Sequence, residues 1–173
     1  MILQNKKIKT TTDTKRPIIY LASPYGFSEQ QKNLLLPEFV YGIEKLGINV
    51  YEPFARNSNV DRSKPYWPWN IANFNFNDIR KADAVFAIIN GTPPDEGVMI
   101  EIGFAFALGK PIFLFRDDFR VSSDSDIYPL NLMVFGTLPK RKWKQYYYKS
   151  INELSNKKKS LMKWLRRWKR TQT

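Results

Sequence analysis

The chain has 173 residues and carries 28 Lys/Arg against 16 Asp/Glu, a formal charge of +12, with no cysteine and no histidine. That length suits one domain with a single sizeable core. Without cysteine there are no disulfides, thiolate nucleophiles or cysteine-held metals, and without histidine no Ser-His-Asp or Cys-His arrangement, so proton transfer falls to carboxylates, tyrosine or lysine.

Residues 1–16 are polar and read as a flexible lead-in. Ile18-Ile19-Tyr20-Leu21-Ala22 is a short apolar run of strand character, and Ser23-Pro24-Tyr25-Gly26 turns the chain. Ser28 begins a helix with Leu34, Leu35, Phe39, Ile43 and Leu46 at helical spacing, stopped at Gly47 and interrupted by Pro37. Ile48–Tyr51 reads as a second strand, Trp67–Lys81 as a second helix, and Ala84–Ile89 as the clearest buried strand. A Pro-Pro loop leads to a helix that carries Glu101 and ends at Gly109, followed by a strand over 111–115, a charged loop over 116–130 and a last strand at Leu132–Phe135. Alternating strands and helices with near-continuous apolar strands predict an α/β fold. It is expected as a flavodoxin-like or Rossmann-like doubly wound sandwich of about five mostly parallel strands with helices on both faces.

The charge is unevenly spread. Residues 1–139 hold 15 Lys/Arg and 15 Asp/Glu, while 140–173 hold 13 Lys/Arg and a single acid, Glu153. The expected organisation is therefore the lead-in (1–16), a body (17–139) and a basic, aromatic-rich helical extension (140–173). Leu161, Trp164, Leu165 and Trp168 share helical spacing, which makes 157–170 a basic amphipathic helix. Such a helix packs its stripe on the body or on another subunit, or else meets an anionic partner, either nucleic acid or a membrane surface. No apolar run approaches the roughly 20 residues of a membrane span and no signal-peptide core is visible, so a cytoplasmic protein is expected.

The chemistry concentrates in Pro94–Ala105. Glu101 stands in an otherwise apolar or glycine-rich run, and Asp95 lies six residues earlier, just past the Pro-Pro turn. Six residues turn a helix through about 600°, so a shared site requires Asp95 in the loop and Glu101 on the helix. A carboxylate pair of this kind suits glycosidic chemistry, with one group managing the leaving group and the other attacking carbon. Each residue also has a plainer reading. Glu101 fits a paired structural carboxylate, Asp95 a helix cap and Tyr20 a core aromatic. Asp78 fits an ion pair with Arg80 or Lys81, and Asn131 a partner for a backbone group.

In chain order these features form a pattern. Tyr20-Leu-Ala ends the first strand, Asn77-Asp78 precedes the central strand, and Asp95 is followed by Glu101-Ile-Gly103-Phe-Ala105 and Leu108-Gly109-Lys110. Pro129-Leu-Asn131-Leu-Met133 closes it. The chain resembles the nucleoside 2-deoxyribosyltransferases over roughly residues 17–138. The resemblance implies that Glu101 is a nucleophile toward C1′ of a 2′-deoxynucleoside, that Asp95 handles the nucleobase proton, and that Tyr20 and Asp78 hold Glu101 and the sugar. It further implies substrate contacts from Ala22, Phe27 and Met133, with Asn131 reaching the 5′-hydroxyl from a neighbouring subunit. The assembly would be a homo-oligomer of dimer units, up to a tetramer or hexamer. No metal or organic cofactor is expected, and the partners are 2′-deoxynucleosides and free purine or pyrimidine bases of nucleotide salvage. The basic tail departs from the pattern. Two other readings stand beside this one: a deoxynucleoside 5′-monophosphate N-glycosidase of the same superfamily, with Ser23 and Arg56 gripping phosphate, and a nucleotide- or nucleic-acid-binding module.

Overall fold

The apolar runs pair side by side in a computed structural model that describes residues 15–121 and 123–172. The lead-in expected over residues 1–16 lies almost wholly outside the described residues. Strands β1 (Ile18–Ala22), β2 (Asn49–Tyr51), β3 (Ala84–Ile88), β4 (Ile112–Phe115) and β5 (Tyr147–Tyr148) form a five-stranded sheet in the order β2-β1-β3-β4-β5. All the pairings are parallel. From β1 the chain steps outward to β2, then crosses back to place β3 on the other side of β1. The order therefore reverses between β1 and β3, where doubly wound sheets open a crevice at their carboxyl ends.

Strand alternation divides the core in two. Ile19, Leu21, Phe86 and Ile88 face Leu36, Phe39 and Ile43 of helix α1 (Leu36–Glu44) and Leu161 and Leu165 of helix α7 (Ser160–Arg170). The intervening Tyr20, Ala22, Val85 and Ala87 face Ile79 of helix α3 (Trp67–Lys81) and Val98, Ile102 and Ala105 of helix α4 (Glu96–Ala107). Because successive side chains on a strand point to opposite faces, Tyr20 is committed to the α4 side. Gly109, at φ +67°, supplies the left-handed residue that ends α4. Lys110 Nζ then donates to the carbonyls of Arg80 (2.8 Å) and Ala82 (2.6 Å) at the end of α3.

Three local expectations are corrected. The first helix is broken as Pro37 requires, and residues Gln31–Leu35 form a π turn ahead of α1. Proline offers no N–H and crowds the carbonyl four residues back, so the turn before it widens. Leu34 and Leu35, expected on the buried stripe, are consequently exposed at 68% and 42%, while Leu36, Phe39 and Ile43 are buried. Leu132–Phe135 is not a strand: it lies in a short helix, α5 (Leu132–Gly136), capped by Asn131, whose side-chain oxygen accepts from Met133 N at 2.9 Å. A short apolar run carries no period, and an Asn cap decides it for helix.

The third correction concerns the tail. The fifth strand comes from the basic segment, with Tyr147 and Tyr148 in register with Leu114 and Phe115. Leu161 and Leu165 of α7 are buried at 0% and 3% exposure in the core that also holds α1. At about 1.5–3 kcal/mol for each fully buried side chain, removing α7 would cost the body stability. The segment beyond residue 139 thus completes the sheet and one layer of core.

Arg116, directly after β4, is the largest fully buried side chain in the described structure, at 1% exposure. Its guanidinium makes four hydrogen bonds, to Ile89 O (2.6 Å), Gly91 O (2.6 Å), Thr92 Oγ1 (3.0 Å) and Arg120 O (2.8 Å). Asp118 stands 4.0 Å away and accepts from the Gly91 amide at 3.2 Å. The loop from β3 to α4 is therefore held by a buried charge whose donors are spent on it. Replacing Arg116 with Met should destabilise the protein by about 3–5 kcal/mol, because the buried carbonyls of Ile89 and Gly91 and the Thr92 hydroxyl lose their donor. Arg116→Lys should fall between, since an ammonium keeps the charge without the planar fork. Urea unfolding midpoints at unchanged m-value measure this; a shift below about 1 kcal/mol for the Met variant would contradict it.

Candidate functional site

The crevice at the β1/β3 switch point is built from both sides. Tyr20 rises from β1 on the α4 face, and its hydroxyl donates to Glu101 Oε1 at 2.5 Å. Glu101 lies in the second turn of α4, partly buried in the wall of a cavity of about 300 Å³. Burial is the main reason its carboxyl is pushed up to about 7; the charge of Asp95 pushes the same way, and the Tyr20 hydrogen bond opposes both. The Tyr20 hydroxyl is raised far above its usual value, first by burial and then by the Glu101 charge and hydrogen bond, so it stays a phenol and a donor.

Asp95 caps α4, its Oδ1 accepting from Val98 N at 2.9 Å, and it lines the same cavity as Glu101. The plain reading of Asp95 as a helix cap is observed, and the cap bond fixes its carboxylate in the cavity wall. Gly97 follows in the first turn, where a Cβ would stand only 3.1 Å from that oxygen. Sequence spacing asked for a loop carboxylate beside a helical one, and the fold provides that arrangement.

Around the two acids the cavity has aromatic walls, Phe27, Phe54 and Trp67, together with polar groups from Ser23, Asn57 and Asn75. Phe27 is 78% exposed and meets Phe54 edge-to-face at 4.9 Å between ring centres. Their approach depends on Gly26, where any Cβ would fall 2.1 Å from the Phe54 ring. Phe54 belongs to the short helix α2 (Pro53–Arg56), whose first amides donate to the Glu52 carboxylate at 2.9 and 2.7 Å. A flat apolar wall opposite two carboxylates suits a planar, partly polar ring.

Asp78 is buried on α3, and its partner is neither Arg80 nor Lys81 but Arg56, which bonds it through Nε and, at 2.7 Å, through Nη2. Arg80, two positions along the helix, points elsewhere, reaching Asn77 and lying over the Phe104 ring. Arg56 also stacks on Tyr51, 3.8 Å from the ring centre. Asp78 does not line the cavity; its charge acts on Tyr20, raising the hydroxyl further. Ala22 is wholly buried and likewise does not line it.

Asn131 and Met133 are placed apart from Glu101. They border a second, apolar cavity of about 720 Å³ on another flank of α4, with Ile100, Phe106 and Leu130. Within one chain Asn131 caps α5 and donates to Asp124 at 2.7 Å. Ile100, Phe106 and Met133 are exposed there at 61%, 54% and 82%. Among the described residues no three acids gather in a group able to hold a metal ion, and no helix is long and apolar enough to cross a membrane. Sequence reasoning missed Phe54, Trp67, Asn57 and Asn75. The available signal was position, since Phe54 and Asn57 follow β2 at the carboxyl edge of the sheet.

The family model for Nucleoside 2-deoxyribosyltransferase matches residues 19–133. A nucleoside deoxyribosyltransferase from Limosilactobacillus fermentum is 31% identical over 140 residues, 73% of this chain and 79% of its own. A solved 2-deoxyribosyltransferase from Bacillus psychrosaccharolyticus superposes with a TM-score of 0.62 at 28% identity, covering 80% of this chain and 90% of that one. A second solved structure, from Leishmania mexicana, shares the fold at 23% identity, with a TM-score of 0.59 and coverage of 79% and 92%. The family match over residues 19–133, which hold four of the five strands, together with the 31% identical relative, shows that the chain belongs to the nucleoside 2-deoxyribosyltransferase family.

Proposed function

We propose that the protein moves 2′-deoxyribose between nucleobases through a covalent intermediate on Glu101, with the β configuration retained. The observation that carries this reading is the Tyr20–Glu101 pair beside Asp95 in one aromatic-walled cavity. A Glu101 oxygen attacks C1′, the C1′–N bond breaks, and the departing base takes its proton from Asp95. An incoming base then attacks the same carbon, releases Glu101, and returns its proton to Asp95. Two inversions give retention. The aromatic walls stack the base, and Tyr20 steadies the carboxylate that must be ionised to attack. Asp78, fixed by Arg56, orients this corner from behind. Asn131 and Met133 contact substrate from a neighbouring subunit, an arrangement that fits their exposed position on the apolar flank of α4 and implies a homo-oligomer.

Arg56 is occupied by Asp78 and Ser23 Oγ accepts from Tyr25 N at 3.1 Å, so neither is poised as a phosphate grip. That favours a neutral 5′-hydroxyl over a 5′-monophosphate.

Glu101→Ala should abolish transfer while the protein remains folded. Wild type given a deoxynucleoside without acceptor should show a deoxyribosyl adduct on the peptide containing Glu101 by mass spectrometry. Adding a second base should yield a new nucleoside. Free sugar released at the same rate with or without that base would make the protein a hydrolase, and an adduct elsewhere would remove Glu101 from the role.

The pH dependence follows from the raised Glu101 carboxyl. The ionised form is the nucleophile, so kcat/KM should rise with pH through about 7. Tyr20→Phe removes the bond that holds this value down, which should move the rising limb to higher pH. It should also cost roughly 10–100-fold at pH 6, the scale of a lost hydrogen bond to a charged group. A limb that stays in place would deny Tyr20 this function.

Asp95→Ala should slow transfer from natural deoxynucleosides by roughly 10²–10⁴-fold. Substrates whose leaving group needs no proton should lose far less. Equal losses for both would leave Asp95 as a helix cap only.

A further inference from the structure

The net charge of the chain resides in the segment beyond residue 139, and the fold gathers it onto one surface. Helix α6 (Trp143–Tyr146) lies against α7. Lys163 of α7 donates to Gln145 Oε1 at 2.8 Å, and Lys159 Nζ reaches the carbonyls of Lys144 (3.3 Å) and Tyr147 (2.6 Å). Arg166 Nη2 bonds the carbonyl of Lys157 at 3.2 Å, drawing the approach to α7 onto the same face. At 100° per residue, Lys163, Arg166 and Arg167 occupy one outward arc, opposite buried Leu161 and Leu165.

Two observations select the kind of partner. The apolar stripe is already used: Leu161 and Leu165 are in the core, and Trp164 packs edge-on against Phe113 at 5.9 Å. A helix that binds a bilayer through its stripe needs that stripe free to enter the acyl region. What remains outward is cationic, with Lys157, Lys158, Arg166, Arg167 and Lys169 all exposed. The sole acid of the segment, Glu153, is spent on Lys159 at 3.2 Å and on the Lys149 amide at 2.8 Å. A row of cations along the 11 residues of α7, about 16 Å at 1.5 Å per residue, outreaches the roughly 8–10 Å over which salt screens charge and is complementary to a repeating polyanion. Arginine adds forked donors that match phosphate oxygens.

We propose that the α6–α7 face binds the phosphate backbone of nucleic acid without reading its sequence. No residue of α6 or α7 lines the cavity that holds Glu101, so this surface is separate from the proposed chemistry. It is an additional binding function that does not rest on the proposed reaction.

The test uses the full chain and a fluorescently labelled 20-base-pair DNA duplex of arbitrary sequence, followed by anisotropy. Binding should be measurable at 50 mM NaCl, similar for unrelated sequences, and weaker by roughly 10³-fold or more at 200 mM if about six phosphates are contacted. The triple variant Lys158→Glu, Arg166→Glu, Lys169→Glu should lose at least about 100-fold in affinity at 50 mM. Because Lys169 lies about 40° from buried Leu165 and beside Gly47, the same variant with Arg167→Glu in place of Lys169→Glu should lose as much affinity and keep its thermal midpoint and deoxyribosyl transfer near wild type. Three results would overturn the proposal. One is no binding to the duplex at 50 mM. A second is binding that the folded triple variant retains. A third is capture by phosphatidylserine-containing vesicles without capture by the duplex. A loss of transfer alone, with duplex binding intact, would bear on the reaction and not on this surface.

Discussion

The hydrogen bond from Tyr20 to Glu101 is the constraint around which the rest of the structure is arranged. It joins the central sheet to the helix beside it, across 81 residues of chain. A carboxylate in the wall of a cavity resists ionisation, and here burial raises it to about 7. The phenol acts against that penalty without removing it, which leaves a group close to its ionisation point at neutral pH. For the proposed nucleophile this balance is useful, since a fully stabilised carboxylate attacks poorly and a fully protonated one not at all. Strand alternation makes the contact possible, because Tyr20 faces α4 only if Ile19 and Leu21 face α1.

The second carboxylate shows how a structural group becomes available to chemistry. Asp95 satisfies an amide at the start of α4, and the same bond fixes its direction toward the cavity. The loop that delivers it is held by Arg116, whose charge is out of water and divided among three oxygens of that loop and the carbonyl of Arg120. Burying a guanidinium is costly unless its donors are matched, so the loop and the arginine specify each other. Asp78 and Arg56 repeat the logic on the far side of Tyr20, where a buried acid is paired with a stacked, forked partner.

The basic tail has two faces with different duties. Its apolar side completes the sheet edge through β5 and the core through α7, so the catalytic body is closed only when the tail is in place. Its cationic side contributes nothing to that core. Concentrating like charges on a stable helix opposes folding slightly, and the cost is tolerated because long Lys and Arg side chains keep their ends in water.

Much of this was legible in the sequence because its signals were local. The helix Trp67–Lys81, the strand at Ala84 and the α4 helix with its Asp-to-Glu spacing follow from period, caps and breakers acting within a few residues. The sheet class follows from alternation of apolar runs with helices. Errors arose where local signals were balanced or decided from afar. Leu132–Phe135 has strand-like composition, yet an Asn cap and distant packing made it helical. The two tyrosines at 147–148 are too short a run to announce a strand and become one only because β4 offers an unpaired edge. By itself the sequence determined which residues carry charge and chemistry, and which segments alternate. The tertiary structure decided their partners: Arg56 for Asp78, Arg116 for the Asp95 loop, and the core for the stripe of α7. Such pairings join residues far apart in the chain, where burial and hydrogen-bond geometry select among many possible contacts and local propensity has no say.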